Sequence, residues 1–263
     1  MNDVEITRVG AVQVMRLNRP AKKNALSGAM YDALSDALEA GDQDGTVGVH
    51  VVFGSGGVFT SGNDIAEFLA SSTGDQAVLK AVLRFIRLLP RVGKPMLAGV
   101  DGLAVGIGTT LLFHCDMVFA TPQARFQTPF LDLGLVPEAG SSLLMPARMG
   151  YARAFEMLVL GASMDAEAMA AAGLVNAIVA ADGLERHVLA VAAALAAKPP
   201  EALALARRLM RSDTEAVARR TDEEAAIFAR QLRSAEAREA FQAFLEKRPP
   251  NFARACNGTS TAG

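Results

Sequence analysis

The 263-residue sequence predicts an α/β fold with both sheet faces covered by helices. Three observations carry that expectation. Strand-like and helix-like segments alternate from the amino terminus to Ala120. The segments at 47–53 and 95–100 are apolar in the manner of buried parallel strands. After Ala180 the pattern is helical almost without interruption. Alternation of this kind layers helices onto a mostly parallel sheet.

Taken in order, residues 4–8 and 11–17 alternate in period two around Gly10, which reads as two short strands. Asn18-Arg19-Pro20 ends the second. Ser27 is placed to cap a helix reaching about residue 40, because Met30, Leu34 and Leu38 recur at helical spacing. A strand follows at 47–53, then a flexible glycine loop at 54–57. Asp64 can cap a short helix running through Phe68 to Leu69. Residues 76–89 make a longer amphipathic helix, with Val78, Val82, Phe85 and Ile86 on its apolar side. A buried strand is expected at 95–100, a helix starting at 106–113, and another strand at 116–120. Between Lys198 and Arg254, basic and acidic residues interleave. That reads as a solvated helical face with an oligomer contact, direct charge contact with a ligand being the alternative. The division expected is a core at 1–197, a helical region at 198–254 and a small, polar, flexible tail at 255–263.

Bulk properties exclude several function classes. At 51% hydrophobic and 21% charged, the chain can bury a sizeable core and does not read as disordered. A net charge of −2 gives no bulk attraction to nucleic acid or to an anionic membrane. No stretch reaches the ~18 uninterrupted apolar residues of a membrane span. The first ten residues lack a basic-then-apolar leader pattern. Cys115 and Cys256 are far apart, so no disulfide is expected and a reducing cytoplasm fits. His50, His114 and His187 share no ligand spacing, and neither a metal site nor a Ser-His pair is expected.

The chemistry concentrates in three places. Phe59-Thr-Ser-Gly-Asn-Asp-Ile65 and Val100-Asp-Gly-Leu-Ala-Val-Gly-Ile-Gly108 each lead from a strand through glycine into a helix start. Helix starts offer free N–H groups, and two aimed at one point can hold a developing oxyanion. The plainer alternative is that these glycines only make tight turns. A dinucleotide turn at 102–108 is disfavoured because Leu111 stands where the third glycine is needed. The third place is Glu138, the first glutamate after Glu67, at the end of an apolar stretch. A lone carboxylate there suggests proton transfer by a single group. Val136-Pro137-Glu138-Ala139 also reads as an ordinary helix start with an acid in its first turn.

These residues resemble a known family. Phe59–Ile65 is similar to the FxxGxDI signature of the crotonase (enoyl-CoA hydratase/isomerase) superfamily, and Asp101–Asp116 to its second signature. The likeness runs from Leu17–Leu26 to Phe244–Phe252, nearly the whole chain. It implies a spiral of ββα units with a carboxy-terminal helical region that drives trimerisation, giving a trimer or a dimer of trimers. It implies an acyl-CoA thioester substrate and no cofactor beyond the coenzyme A of the substrate. The thioester oxygen would be held by the backbone N–H groups of Asn63 and Ile107. Family members often carry Ala and Gly there, but any residue except Pro supplies the N–H. Lys23, Asn24 and Ala25 fall where adenine and phosphate contacts begin, with solvated surface the alternative for the lysine. Ser61, Gly62, Asp64, Ile65 and Gly106 line the two loops. Ser61 could bond adenine through its carbonyl, while Asp64 reads more simply as a helix cap. The stretch 73–75 would border the acyl tunnel.

Two departures narrow the reaction. The family's hydratases use two glutamates, and the matching positions here are Thr110 and Phe130. Hydration needs one group to activate water and another to protonate carbon. Neither residue can replace a carboxylate. Glu138 instead falls where the family's Δ3-Δ2-enoyl-CoA isomerases carry their single catalytic glutamate, in a similar PFxxLGLxPEG-like stretch. The resemblance therefore implies isomerisation by Glu138 in a pocket made apolar by Phe130, Leu133, Leu135 and Val136. The alternatives are an enoyl-CoA hydratase or other crotonase-type reaction, and an acyl-CoA-binding protein without catalysis.

Overall fold

The amino-terminal segments form an antiparallel pair, β1 (Val4–Val9) and β2 (Val12–Leu17), with Val4 opposite Leu17. The computed structural model describes residues 2–72, 77–211 and 213–253. β2 pairs in parallel with β3 (Val49–Phe53), and β3 with β4 (Met96–Val100). Both central strands are buried at every position, as strands covered on two faces must be. β5 (Leu103–Val105) leaves this sheet and β6 (Met117–Ala120) returns to it beside β4. β7 (Arg125–Gln127) and β8 (Met164–Asp165) join β5 in a second sheet of three strands. β9 (Ala177–Ile178) completes the first sheet, whose order is β1-β2-β3-β4-β6-β9. The α/β expectation therefore holds, with two sheets rather than one.

Helices account for both covered faces. α1 (Gly28–Gln43) starts where Ser27 Oγ accepts the Met30 N–H at 3.3 Å. α2 (Ile65–Ser72) and α3 (Ala77–Leu88) follow. Met30, Leu34 and Leu38 of α1 and Phe85 and Ile86 of α3 join Met15, Leu17, Val52 and Met96 in one core. Burying each such side chain stabilises the fold by roughly 1.5–3 kcal/mol. α4 (Ile107–Thr110) is a single turn. α5 (Ser141–Met149) and α6 (Tyr151–Leu158) pack on each other, and α7 (Ala166–Ala171) leads to β9. α8 (Leu184–Ala196) crosses the opposite face, where Leu184 and Val188 meet Val12, Val51, Phe53 and Leu97. The chain then runs through α9 (Pro200–Met210), α10 (Thr214–Gln231) and α11 (Ala235–Leu245). No single helix among the described residues is long and apolar enough to cross a membrane.

Three expectations change. The helix expected from 106 to 113 is α4 followed by a 3-10 turn at Leu111–His114. The Thr109 hydroxyl donates to Ala104 O at 2.6 Å, which ties α4 back to β5. β5, β7, β8 and β9 were not anticipated, because two or three residues are too few to show a period. The face expected to be solvated beyond Lys198 is only partly so. Arg207, Thr221 and Glu224 are buried because α9 and α10 turn them inward, Arg207 Nε meeting Asp116 at 2.8 Å. The tail at 255–263 and the stretch at 73–75 lie outside the described residues.

Candidate active site

Loops leaving the carboxyl ends of β3 and β4 are stitched together by main-chain bonds. Thr60 N–H donates to Leu103 O at 2.9 Å and Val105 N–H to Thr60 O at 3.0 Å. Leu26 N–H donates to Gly62 O at 2.8 Å, and Asp64 N–H to Leu26 O at 2.9 Å. Glycine permits this closeness. Gly62 sits at φ +89°, and a Cβ on Gly108 would stand 2.3 Å from Thr60 Cγ2. At the two loop tips, the N–H groups of Asn63 and Ile107 meet no acceptor among the described residues. Ile107 opens α4 behind Gly106, so its N–H is one that a helix start leaves free.

The flanking residues divide into scaffold and surface. Asp64 does cap α2, accepting Ala66 N–H at 3.1 Å, and it also pairs with Arg19 at 2.7 Å. Asn24 is fully buried. Its side chain accepts Arg19 N–H at 2.9 Å and donates to Val58 O at 2.7 Å, so it is committed to the loops. Ala25 O accepts from Arg19 Nη1 at 3.1 Å. Lys23 is exposed, in a left-handed conformation at φ +51°, and its carbonyl accepts the Ser61 N–H at 2.9 Å. Ser61 and Ile65 are half-buried.

Glu138 lies between β7 and α5 and is 7% exposed. The Thr110 hydroxyl donates to its Oε1 at 2.5 Å, while Oε2 is buried without a partner among the described residues. Burial pushes the carboxyl up to about 8; the Thr110 bond opposes this and the nearby Glu224 charge adds to it. Phe130, Leu135 and Ile107 belong to one buried cluster, with Leu133 and Val136 packed against it. The carboxyl itself is buried, and that burial is what raises it.

Three residues that sequence reasoning did not assign to the site hold it. Ala139 has φ +57° and Gly140 φ +71°, a turn that non-glycine residues seldom adopt. The turn is secured by distant side chains. His114 Nε2 lies 2.7 Å from Ala139 O, and burial lowers the imidazole to about 4. The ring is then neutral at pH 7, and Nε2 must carry the hydrogen, since a carbonyl can only accept. Glu224 of α10 accepts Gly140 N–H at 2.6 Å and Ser142 N–H at 2.9 Å, capping α5 from another element. Tyr31 of α1 is fully buried, and its hydroxyl donates to Asn63 Oδ1. Burial, then the Glu138 charge, raises its phenol well above the ordinary value, so it stays a donor. Tyr31 thus braces the Asn63 loop from α1. The only signal for it was a tyrosine among the apolar positions of α1. Glu224 was hidden among the interleaved charges of the last helices.

The family model described as enoyl-CoA hydratase/isomerase matches residues 7–255. Enoyl-CoA delta isomerase 2 of Rattus norvegicus is 35% identical over 249 residues, covering 93% of this chain. The chain spans 63% of that relative's length. The 2,3-dehydroadipyl-CoA hydratase of Escherichia coli is 32% identical over 96% of this chain and 99% of that protein. The crystal structure of an enoyl-CoA hydratase/isomerase from Pseudoalteromonas atlantica is similar at a TM-score of 0.89 and 38% identity, covering 95% of this chain and 100% of the other.

Proposed function

Since this chain belongs to the enoyl-CoA hydratase/isomerase family, we propose that it is a Δ3-Δ2-enoyl-CoA isomerase acting on an acyl-CoA thioester. The observation that carries this reading is Glu138, a buried carboxyl with one oxygen held by Thr110 and the other unpartnered. In the ionised form Oε2 takes a proton from C2 of a 3-enoyl thioester. The electron pair moves into a dienolate, whose oxygen charge the N–H groups of Asn63 and Ile107 hold. The same carboxylic acid returns the proton to C4, leaving the double bond between C2 and C3. Atoms and charge balance with no water, metal or redox cofactor. A carboxyl raised to about 8 can accept and release a proton near neutral pH.

What weighs against hydration is the want of a second free proton-transfer group beside Glu138 among the described residues. The Thr110 hydroxyl is already given to Glu138, Phe130 cannot titrate, and both oxygens of Glu224 hold backbone N–H groups. The match over nearly the full length of a hydratase favours the rival reading. Hydration of crotonyl-CoA at rates matching isomerisation would decide for it. Tight coenzyme A binding without turnover would decide for a non-catalytic binder.

Lys23 and the Ser61 carbonyl would take the phosphate and adenine end of a cytoplasmic acyl-CoA. A trimer or dimer of trimers would form through 198–254, where Leu209, Met210, Phe244 and Leu245 are exposed. The decisive experiment is isomerisation of 3-hexenoyl-CoA and 3-dodecenoyl-CoA. Glu138→Gln should lower kcat about 10²–10⁴-fold, and full retained activity would overturn the assignment.

A further inference from the structure

Away from the residues of the proposed chemistry, a cavity of about 240 Å³ opens between the end of α5, the end of α9 and the start of α10. That is several times the ~30 Å³ occupied by one water in the liquid. Three guanidinium groups line it, from Arg148, Arg207 and Arg211, against a single carboxylate, Asp116. Asp116 is already committed. Its two oxygens accept from Arg207 Nε at 2.9 and 2.8 Å, and Oδ2 also accepts the Met96 N–H at 2.9 Å. Two positive charges therefore face the cavity without a counter-charge among the described residues.

Their hydrogen-bonding groups are not used up either. Arg207 is 8% exposed, and its Nη2 is buried with no acceptor among the described residues. A buried N–H left unpaired is costly, so one that persists needs a reason. Arg148 lies over the Phe113 ring, 5.7 Å from its centroid, with no hydrogen-bond acceptor among the described residues. Arg211 Nη2 donates to His114 O at 3.0 Å and Nη1 makes a long bond to Val92 O at 3.5 Å, which leaves further N–H groups of the fork to face the cavity. Burial, and then the Arg207 charge, hold the Arg211 guanidinium below its ordinary value. Phe113, Leu144 and Val217 complete the wall with apolar surface, which strengthens any charge pairing inside. The planar guanidinium fork matches the oxygens of phosphate and carboxylate.

We propose that this cavity binds a small oxyanion, a phosphate or carboxylate group of a small molecule, through Arg148, Arg207 Nη2 and Arg211. The inference does not depend on the isomerase reading. It is tested by calorimetric titration of the full chain with inorganic phosphate and, separately, with acetate, at fixed ionic strength. The expected result is one saturable site per chain for at least one of the two, the preferred anion telling phosphate from carboxylate. Arg148→Gln and Arg211→Gln should each weaken that site about tenfold, the loss of one charge-assisted contact. Lys23→Gln should leave it unchanged, which separates the cavity from a coenzyme A phosphate contact. No saturable binding of either anion, or an affinity unchanged from the parent in both arginine variants, would overturn the proposal. So would a cavity closed to both anions in the intact protein whose arginine variants dissociate into smaller species, because the occupant would then be an acidic side chain of a second copy.

Discussion

The segments 60–65 and 103–107 are joined by main-chain hydrogen bonds, whereas the segment 136–142 is held by side chains from three other elements. In the first, Thr60, Leu103 and Val105 exchange backbone bonds, the glycines make room, and Asn24 and Tyr31 brace the outside of the loop. In the second, Thr110 reaches Glu138, His114 reaches Ala139 O, and Glu224 reaches the N–H groups of Gly140 and Ser142. The two loops at Asn63 and Ile107 present backbone donors, which do not titrate and which most side chains leave in place. The Glu138 loop presents one carboxyl whose proton affinity depends on everything packed around it. One half of the site should therefore tolerate substitution and pH, and the other should not.

The largest expected effect sharpens that contrast by pH. Glu138 is raised from 4.5 to about 8, so the folded chain binds this proton more tightly than the unfolded chain. Its contribution to stability is full below about pH 4.5 and is lost as pH rises through about 8. Glu138→Gln removes the titration. The stability difference between variant and parent should then shift by roughly 3–5 kcal/mol in the variant's favour between pH 4 and pH 9, at ~1.4 kcal/mol per unit. Urea unfolding at the two pH values measures it. A difference that stays flat would mean the carboxyl is not held protonated by burial. The same group should make kcat/KM for a 3-enoyl-CoA climb toward a plateau above about pH 8.

The contrast also explains what could be read from the sequence. The strands, α1, α3 and the glycine loops follow from local patterns, since period, cap and turn residues lie within a few positions of what they specify. The turns that carry Asn63 and Ile107 were legible for that reason, while the choice of those two residues came from the family resemblance. Glu138 was legible as a lone acid in an apolar stretch, and so was the absence of carboxylates at positions 110 and 130. Its support was not. Glu224 is 84 residues from Gly140, and nothing in the charge pattern of α10 separates it from Asp222 and Glu223, which are exposed. The short strands of the second sheet failed for a different reason, because pairing partners rather than their own residues define them.

Glu224→Gln is the next test in size. The amide keeps the shape of the side chain but offers one acceptor oxygen to two N–H groups. One of Gly140 and Ser142 is left unpaired in a buried turn, at a cost of about 2 kcal/mol. Removing the charge also withdraws one of the influences that raise Glu138. The variant should melt earlier, and its kcat/KM profile should move to lower pH. A lower Tm with an unmoved profile would make Glu224 a cap for α5 and nothing more.

Ile107→Val should have the smallest effect, and it bears on the other half of the comparison. Ile107 is 2% exposed within the main core, so losing one methylene costs about 1 kcal/mol. The backbone N–H that opens α4 stays where Gly106 and the Thr60–Val105 bonds put it. If that N–H is what the substrate oxygen meets, kcat/KM should stay within about threefold of the parent while Tm falls slightly. A loss of tenfold or more at nearly unchanged Tm would show that the side chain itself contacts the acyl group. The loops at 63 and 107 would then be as dependent on side chains as the Glu138 loop, and the division between a backbone half and a side-chain half of this site would fail.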